Sequence, residues 1–177
     1  NVVDIGHGLG MAISTDGVGS KLLIAQEQDH YETVGQDCVA VNVNDVLCVG
    51  AEPITIVDCI TLEEPHPSLL EELGRGLYRG AELAHVAIVG GEIAQIPEMV
   101  KGPRPGYAFD IVGTCVGLVP LDRIIVGQNV EEGDVVIGLA SSGIHSNGMT
   151  LARKALLENG AFTLQTYVPE LDRSLGD

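Results

Sequence analysis

The stretch YETVGQDCVAVNVNDVLCVGAEP, Tyr31 to Pro53, decides the architecture, because two periodicities compete in it. Val39, Val41 and Val43 alternate as in a strand, whereas Val34, Cys38 and Val41 recur at helical spacing. Length and end signals favour a helix over Val34 to Val49. Thr33 and Gln36 have the spacing of a capping box, Gly50 suits the position just past a helix end, and Pro53 lies beyond it.

Working outward, ITIVDCI (54–60) is short and β-branched and reads as a strand, followed by a loop with Pro65 and Pro67. Ser68 and Glu71 repeat the capping-box spacing for a helix to about Leu83, with Leu69, Leu73, Leu77 and Ala81 on one face. VAIVGG (86–91) and IVGTCVGLV (111–119) read as strands around the Pro/Gly-rich loop IPEMVKGPRPGYAFD. Upstream, NVVDIGHGLG leads without a Met into a short strand over Gly10 to Ser14, so the chain reads as a fragment. Downstream, PLDRIIVGQNVEEGD reads as a connector, VVIGLA (135–140) as a buried strand, SSGIHSNG (141–148) as a loop, and MTLARKALLENG as a helix ending at Asn159-Gly160. The pattern predicts a two-layer α/β (α+β) fold, a sheet covered by helices with each strand pair crossed by a helix. The boundary falls in the connector, giving an N-terminal domain over 1–122 and the start of a second over 123–177.

The 177 residues carry 9 Lys+Arg against 25 Asp+Glu, a formal charge of −16, which repels nucleic acid and anionic lipid. A phosphorylated ligand therefore needs local cations, and Mg²⁺ held by carboxylates is the economical source. The four cysteines form no C-x-x-C pair, and three lie in apolar runs, which predicts buried free thiols. With no signal peptide and no run long enough to span a bilayer, the reading is cytoplasmic, with no membrane role.

Five segments hold candidate chemistry. In STDGVGSKL (14–22) the spacing matches neither a P-loop nor a dinucleotide fingerprint. Its glycines would admit an anion to the amides of Gly17, Val18, Gly19 and Ser20, Lys21 adds a charge and Asp16 could hold a metal; a plain tight turn explains the same residues. On the helix, Asp37 and Asn44 lie seven residues apart, about 10.5 Å along one face, with Asp45 beside them; an ordinary wet face is the alternative. Glu92 follows VAIVGG, where α/β sheets place ligand groups, or simply caps a helix. Asp110 at the entry to its strand is either a turn residue or a further carboxylate. His145 and Asn147 sit in a polar loop before a helix, a place for an acid, base or phosphate contact, or for a capped surface loop.

Together and in order, STDGVGSK, GQDCVAVNVNDVLCVGAEP, IVGGEIAQIPEM, DIVGTCVG and GLASSGIHSNGMTLARKAL resemble the phosphoribosylformylglycinamidine cyclo-ligase family, also called aminoimidazole ribonucleotide synthetases, over Ala12 to Leu156. The resemblance implies ATP- and Mg²⁺-dependent closure of an imidazole ring on a phosphoribosyl substrate in purine biosynthesis. It implies a homodimer whose N-terminal sheets pair into a barrel. Carried over, Asp16 and Asp45 become metal carboxylates with Asp110 as a further, second-rank metal candidate, and Asp37 and Glu92 stand near the triphosphate. Lys21 and the amides of residues 17–20, with Asn44 on the helix, meet ATP, and His145 and Asn147 lie by the substrate. Departures are Ile93, Gln95, Ile96 and Glu98, where Thr, Glu, Met and Gly are usual, a longer KGPRPGYAFD loop, and Ile144 in place of a frequent Pro. The chain would be about half of such an enzyme, with weak or no turnover by itself. Alternatives are other members of the superfamily, of selenophosphate synthetase or thiamine-monophosphate kinase type, and a non-catalytic dimerising module.

Overall fold

The computed structural model describes residues 2–177. Two strands, β1 (Val2–Gly6) and β2 (Leu9–Gly17), are joined by a tight turn and lead into helices α1 (Lys21–Gln28) and α2 (Glu32–Cys48). Then come β3 (Glu52–Leu62), α3 (Pro67–Ala84), β4 (Ala87–Gln95) and β5 (Phe109–Pro120). The C-terminal part holds α4 (Met149–Arg153), which continues as a π-helical turn over Lys154–Glu158, and a small ribbon of β6 (Tyr167–Val168) and β7 (Arg173–Ser174). The main sheet has the order β1-β2-β5-β3-β4. Only β3 and β4 are parallel, with α3 as their crossover; the other neighbours are antiparallel, so the expected helix across every strand pair is found once.

The sheet has one covered and one open face, set by strand alternation. Ala12 on β2, Ile56, Ile60 and Leu62 on β3, and Ile111, Cys115 and Val119 on β5 are buried beneath the helices. From α2, Val34, Cys38, Val39, Val43 and Val46 enter this core, and from α3 the predicted stripe Leu69, Leu73, Leu77 and Ala81 does so. Each fully buried Val or Leu is worth about 1.5–3 kcal/mol of transfer free energy, so this layer carries most of the fold's stability. The opposite face presents Val3, Ile13 and Val57 exposed, and no helix among the described residues covers it.

Helices α2 and α3 meet backbone to backbone. A Cβ on Gly35 would stand 2.6 Å from the Leu73 carbonyl oxygen, and one on Gly76 only 1.9 Å from that of Glu32. No side chain fits there, and the helix pair is locked in register.

Several sequence expectations change. Helix α2 begins at Glu32 and its end residue Tyr31 uses no side-chain cap; instead the Tyr31 amide donates to Glu72 Oε2 at 2.7 Å from α3. Likewise α3 starts with Pro67 behind His66, without the Ser68 capping box. Gly50, at φ +78°, does end α2 as expected. The short strand predicted over Gly10 to Ser14 extends to Leu9–Gly17, because its residues pair along β5 as far as Gly17 with Val112. The predicted strand at 135–140 does not form: it finds no partner strand among the described residues, and Val135, Val136, Ile137 and Leu139 stand exposed. Of the cysteines, Cys38 and Cys115 are buried but Cys48 and Cys59 are exposed; all are free.

The Pro/Gly-rich loop between β4 and β5 is pinned at several points. Glu63 accepts from Lys101 Nζ and from the Gly106 amide, both at 2.8 Å. His66 stacks on Tyr107 with ring centroids 4.0 Å apart, and the Arg104 guanidinium lies 3.6 Å from the Tyr107 ring centre while also binding Asp29.

Candidate functional site

The segment 14–22 is not a loop. Ser14 to Gly17 are the last residues of β2, Val18 to Ser20 turn, and Lys21 opens α1. Gly19 takes φ +72°, the one step of the turn that a side chain would strain. Asp16 is therefore held by a strand, which fixes its direction better than a loop would.

A second device fixes it further. Asn42 of α2 is fully buried, and its amide clamps the backbone of Asp16: Oδ1 accepts from the Asp16 N–H at 2.9 Å, and Nδ2 donates to the Asp16 carbonyl at 3.1 Å and to that of Cys38 at 2.9 Å. Gly113 on β5 leaves room for this amide, since a Cβ there would be 2.6 Å from Nδ2. Sequence reasoning singled out Asn44 and missed Asn42; Asn44 is exposed, and only the residue two positions earlier faces the sheet.

On this covered side Asp45 reaches the strand that carries Asp16. Asp45 Oδ2 accepts from Ser14 Oγ at 3.0 Å, two residues before Asp16 on the same side of β2. Asp16 Oδ1 accepts from the Gly17 amide at 2.8 Å, and both carboxylates are exposed. Hard oxygen donors of this kind suit Mg²⁺, which takes one or two carboxylates and fills its remaining positions with water and phosphate oxygens. No group of three or more metal-binding side chains is preassembled among the described residues. Across β5, Asp58 of β3 pairs with the same Gly113 that pairs with Asp16, so it shares their face. Burial pushes the Asp58 carboxyl upward. The Cys38 thiol beneath, desolvated and surrounded by Asp58, Asp110, Asp37 and Asp16, is pushed up to about 12 and is inert.

Lys21 forms the second group. Its Nζ lies 2.8 Å from Asp37 Oδ2, both largely shielded, at the mouth of a cleft of about 960 Å³ between α1, α2 and the C-terminal segment. Ser142, Gly143 and Ile144 also line it, and Ser20 Oγ meets Thr150 Oγ1 at 2.8 Å, tying the turn before α1 to α4. His145 and Asn147 are exposed; His145 Nε2 is 3.0 Å from Ser141 Oγ. The expected helix after this loop is α-helical for only five residues.

Two predicted carboxylates fall elsewhere. Glu92 lies in the middle of β4 rather than after it, pairs with Cys59 and so points to the open face. Asp110 is the second residue of β5, one position out of phase with buried Ile111, and shares that open side. The structure thus puts Asp16 and Asp45 on the covered side, Lys21 and Asp37 in the cleft, and Glu92 and Asp110 on the open face, while Asn44, His145 and Asn147 are exposed outside these groups.

Residues 1–119 match the family described as AIR synthase related protein, N-terminal domain. The chain is 48% identical over 167 residues to a phosphoribosylformylglycinamidine cyclo-ligase of Methanobrevibacter smithii, covering 94% of this chain and 48% of that protein. It is 44% identical over 176 residues to the protein of that name from Methanococcoides burtonii, covering 99% of this chain and 51% of that one. The chain spans about half the length of these curated relatives. Among solved structures, a thiamine-monophosphate kinase of Stenotrophomonas maltophilia superposes with TM-score 0.65 at 19% identity over 92% of this chain and 46% of that one. PurLQS of Thermotoga maritima does so with TM-score 0.58 at 22% identity over 70% of this chain and 20% of that one. A hydrogenase maturation protein HypE in complex with ATP gives 0.53 at 24% identity over 74% and 36%.

Proposed function

The chain belongs to the AIR synthase related family through its N-terminal domain, and from that premise we propose that its parent protein closes the imidazole ring of formylglycinamidine ribonucleotide at the expense of ATP. The observation that carries this reading is the shared name of relatives 44–50% identical over most of the chain. The solved fold relatives described with ATP support a nucleotide as co-substrate.

Bound Mg-ATP would supply the phosphoryl group that turns the substrate's formyl oxygen into a leaving group; the amidine nitrogen then bonds to that carbon as phosphate departs. Asp16 and Asp45 would hold the metal, their geometry set by β2 and by the Asn42 clamp. Lys21 would turn from Asp37 toward phosphate oxygens, and the amides of Gly17, Val18, Gly19 and Ser20 would line the same approach. Positioned charge of this kind is what phosphoryl transfer requires, since the transition state asks for stabilisation more than covalent help. His145 and Asn147 would face the substrate, and Asp37 and Asn44 would flank the nucleotide. Glu92 and Asp110, on the other side of the sheet, receive no role in this arrangement.

The bare apolar face supports a homodimer in which two sheets pair, a barrel in the limit of full closure. We read 1–122 as the nucleotide-site and dimer domain and 123–177 as the beginning of another. None of the helices among the described residues is long and apolar enough to cross a membrane, which supports a cytoplasmic enzyme.

The test uses the intact gene product containing this chain, with Mg-ATP and formylglycinamidine ribonucleotide. It should form the aminoimidazole ribonucleotide, ADP and phosphate, and Asp45→Asn should lose about a hundredfold or more of that rate, the order seen when one element of charge stabilisation is removed. Normal turnover in Asp45→Asn would sink the metal assignment.

A further inference from the structure

Arg153 is one of four Lys and Arg of this protein, with Arg123, Lys154 and Arg173, that enter no ion pair among the described residues, and of the four it alone has a buried side-chain nitrogen without a partner there. Of nine Lys and Arg, five (Lys21, Arg75, Arg79, Lys101 and Arg104) are tied to carboxylates. Arg153 is in none of the ion pairs among the described residues, although the chain carries 25 carboxylates to choose from. Its Nε is buried without a hydrogen-bond partner. It lines the same cleft as Lys21, behind the loop at 142–144. Leaving a guanidinium nitrogen dry and unpaired is unfavourable, and a fold keeps such a group where something outside the chain completes it.

Of the carboxylates in the cleft wall, Asp37, Glu170 and Asp177, none is ion-paired with Arg153 among the described residues. Asp37 is taken by Lys21, and Asp177 is taken by Ser174, whose amide and hydroxyl donate to its Oδ2 at 3.1 and 2.7 Å and hold its carboxyl below the usual range. The remaining wall mixes the aliphatic Ile24, Met149, Leu156 and Leu164 with polar side chains, among them His30 and a second arginine, Arg173. A planar cationic fork beside apolar side chains, with Lys21 and Arg173 in the same cleft, matches a ligand with a compact dianionic head and a less polar body. Against a net charge of −16, such a head depends on these local cations.

We propose that Arg153 is the anchor for a phosphate group of the ligand that fills this cleft. The assignment rests on the ring-closure reading only for the choice of ligands to try: the substrate's ribose 5-phosphate ester and the phosphate chain of ATP share this chemistry. Lys21, by contrast, carries a competing carboxylate and acts once that pair is opened.

The test is calorimetric titration of the intact gene product, wild type and Arg153→Met, with ribose 5-phosphate and separately with Mg-ATP; Arg153→Lys keeps the charge but not the fork. Arg153→Met should weaken one of the two ligands by about tenfold or more, as expected for a charge-assisted pair, with Arg153→Lys intermediate. Loss confined to ribose 5-phosphate assigns the anchor to the substrate ester, and loss confined to Mg-ATP assigns it to the nucleotide. Because Nε has no internal partner to lose, the ligand-free melting temperature of Arg153→Met should stay within about 2 °C of wild type. Unchanged affinity for both ligands, no binding of either by the wild type, or a large loss of ligand-free stability would overturn the proposal. Failure of ring closure in the turnover assay leaves these binding results standing, so the two ideas fail separately.

Discussion

Replacing Asn42 with Leu removes the clamp on Asp16 while conserving most of the buried volume. Three hydrogen bonds disappear, of which the one to Cys38 matters least, because that carbonyl sits inside α2 and keeps its helical partner. The Asp16 N–H and carbonyl lose the amide they are bound to. At about 1–2 kcal/mol for each, the cost is roughly 2–4 kcal/mol, since these groups are part-buried and regain some water. For a chain of this size that lowers the melting temperature by about 4–16 °C. Asn42→Asp sharpens the test. The carboxyl keeps an acceptor for the Asp16 N–H but places a second oxygen against two carbonyls, so burial and repulsion raise its folded pKa above the unfolded value. Stability is then present below the unfolded pKa and lost as pH rises through the folded one. Melting of Asn42→Asp followed by circular dichroism from pH 7 to pH 4 should recover toward wild type, whereas Asn42→Leu should not. If Asn42→Leu melts within about 2 °C of wild type, or Asn42→Asp shows no recovery in acid, the clamp does not hold the strand.

Asp58 is raised by burial and finds no compensating cation, so its ionisation costs folding stability at neutral pH. Asp58→Asn should melt higher than wild type at pH 7, with the difference shrinking as pH falls toward the unfolded carboxylate value near 3.8; a lower melting point at pH 7 would refute this. The open face gives a paired prediction: Val57→Asp should convert the proposed dimer to monomer in sedimentation. Cys59, also on that face, should be shielded from a thiol reagent in the wild type and freed in the variant, while Cys48 reacts in both and Cys38 in neither. Equal Cys59 reactivity in both proteins would count against pairing of these faces.

Where a segment's signal is its own periodicity, the sequence sufficed. Helix α3 is apolar on one side behind Pro67, and α2, whose periodicities compete, is long and bounded by Gly50, so their existence could be read from local pattern. The strand β5 was legible for the same reason. What failed depended on partners. Strand β2 runs through Asp16 and Gly17 because β5 supplies a ladder there, and a glycine-rich string cannot advertise that. The run at 135–140 has every local mark of a strand and lacks the neighbour that would make it one. Helix α1 was hidden by its eight-residue length, too short for its half-apolar sequence to show a period, and β1 by the dense glycines of its turn with β2. The site divides in the same way. Lys21, Asp16 and Asp45 carry their chemistry on their faces, whereas choosing Asn42 over Asn44 needs the rotation of α2 about its axis, which its weak amphipathicity leaves open. Glu92 was misplaced because a Gly pair looks like a strand end until β3 is seen to extend it.

The glycine contact between α2 and α3 bears on how damage to this protein would be diagnosed. Gly35 and Gly76 touch no candidate ligand group, yet α2 carries Asp37, Asn42 and Asp45, and its spacing from α3 is set by these two positions. Substituting Ala at Gly76 would push α2 away from α3 and shift all three polar groups together, giving a protein that folds, retains each candidate residue and still fails. A survey of loss-of-function alleles would then flag Gly76 alongside Asp45, and only the difference between a lost donor and a displaced one, read from ligand affinity at each site, would tell the inherited defects apart.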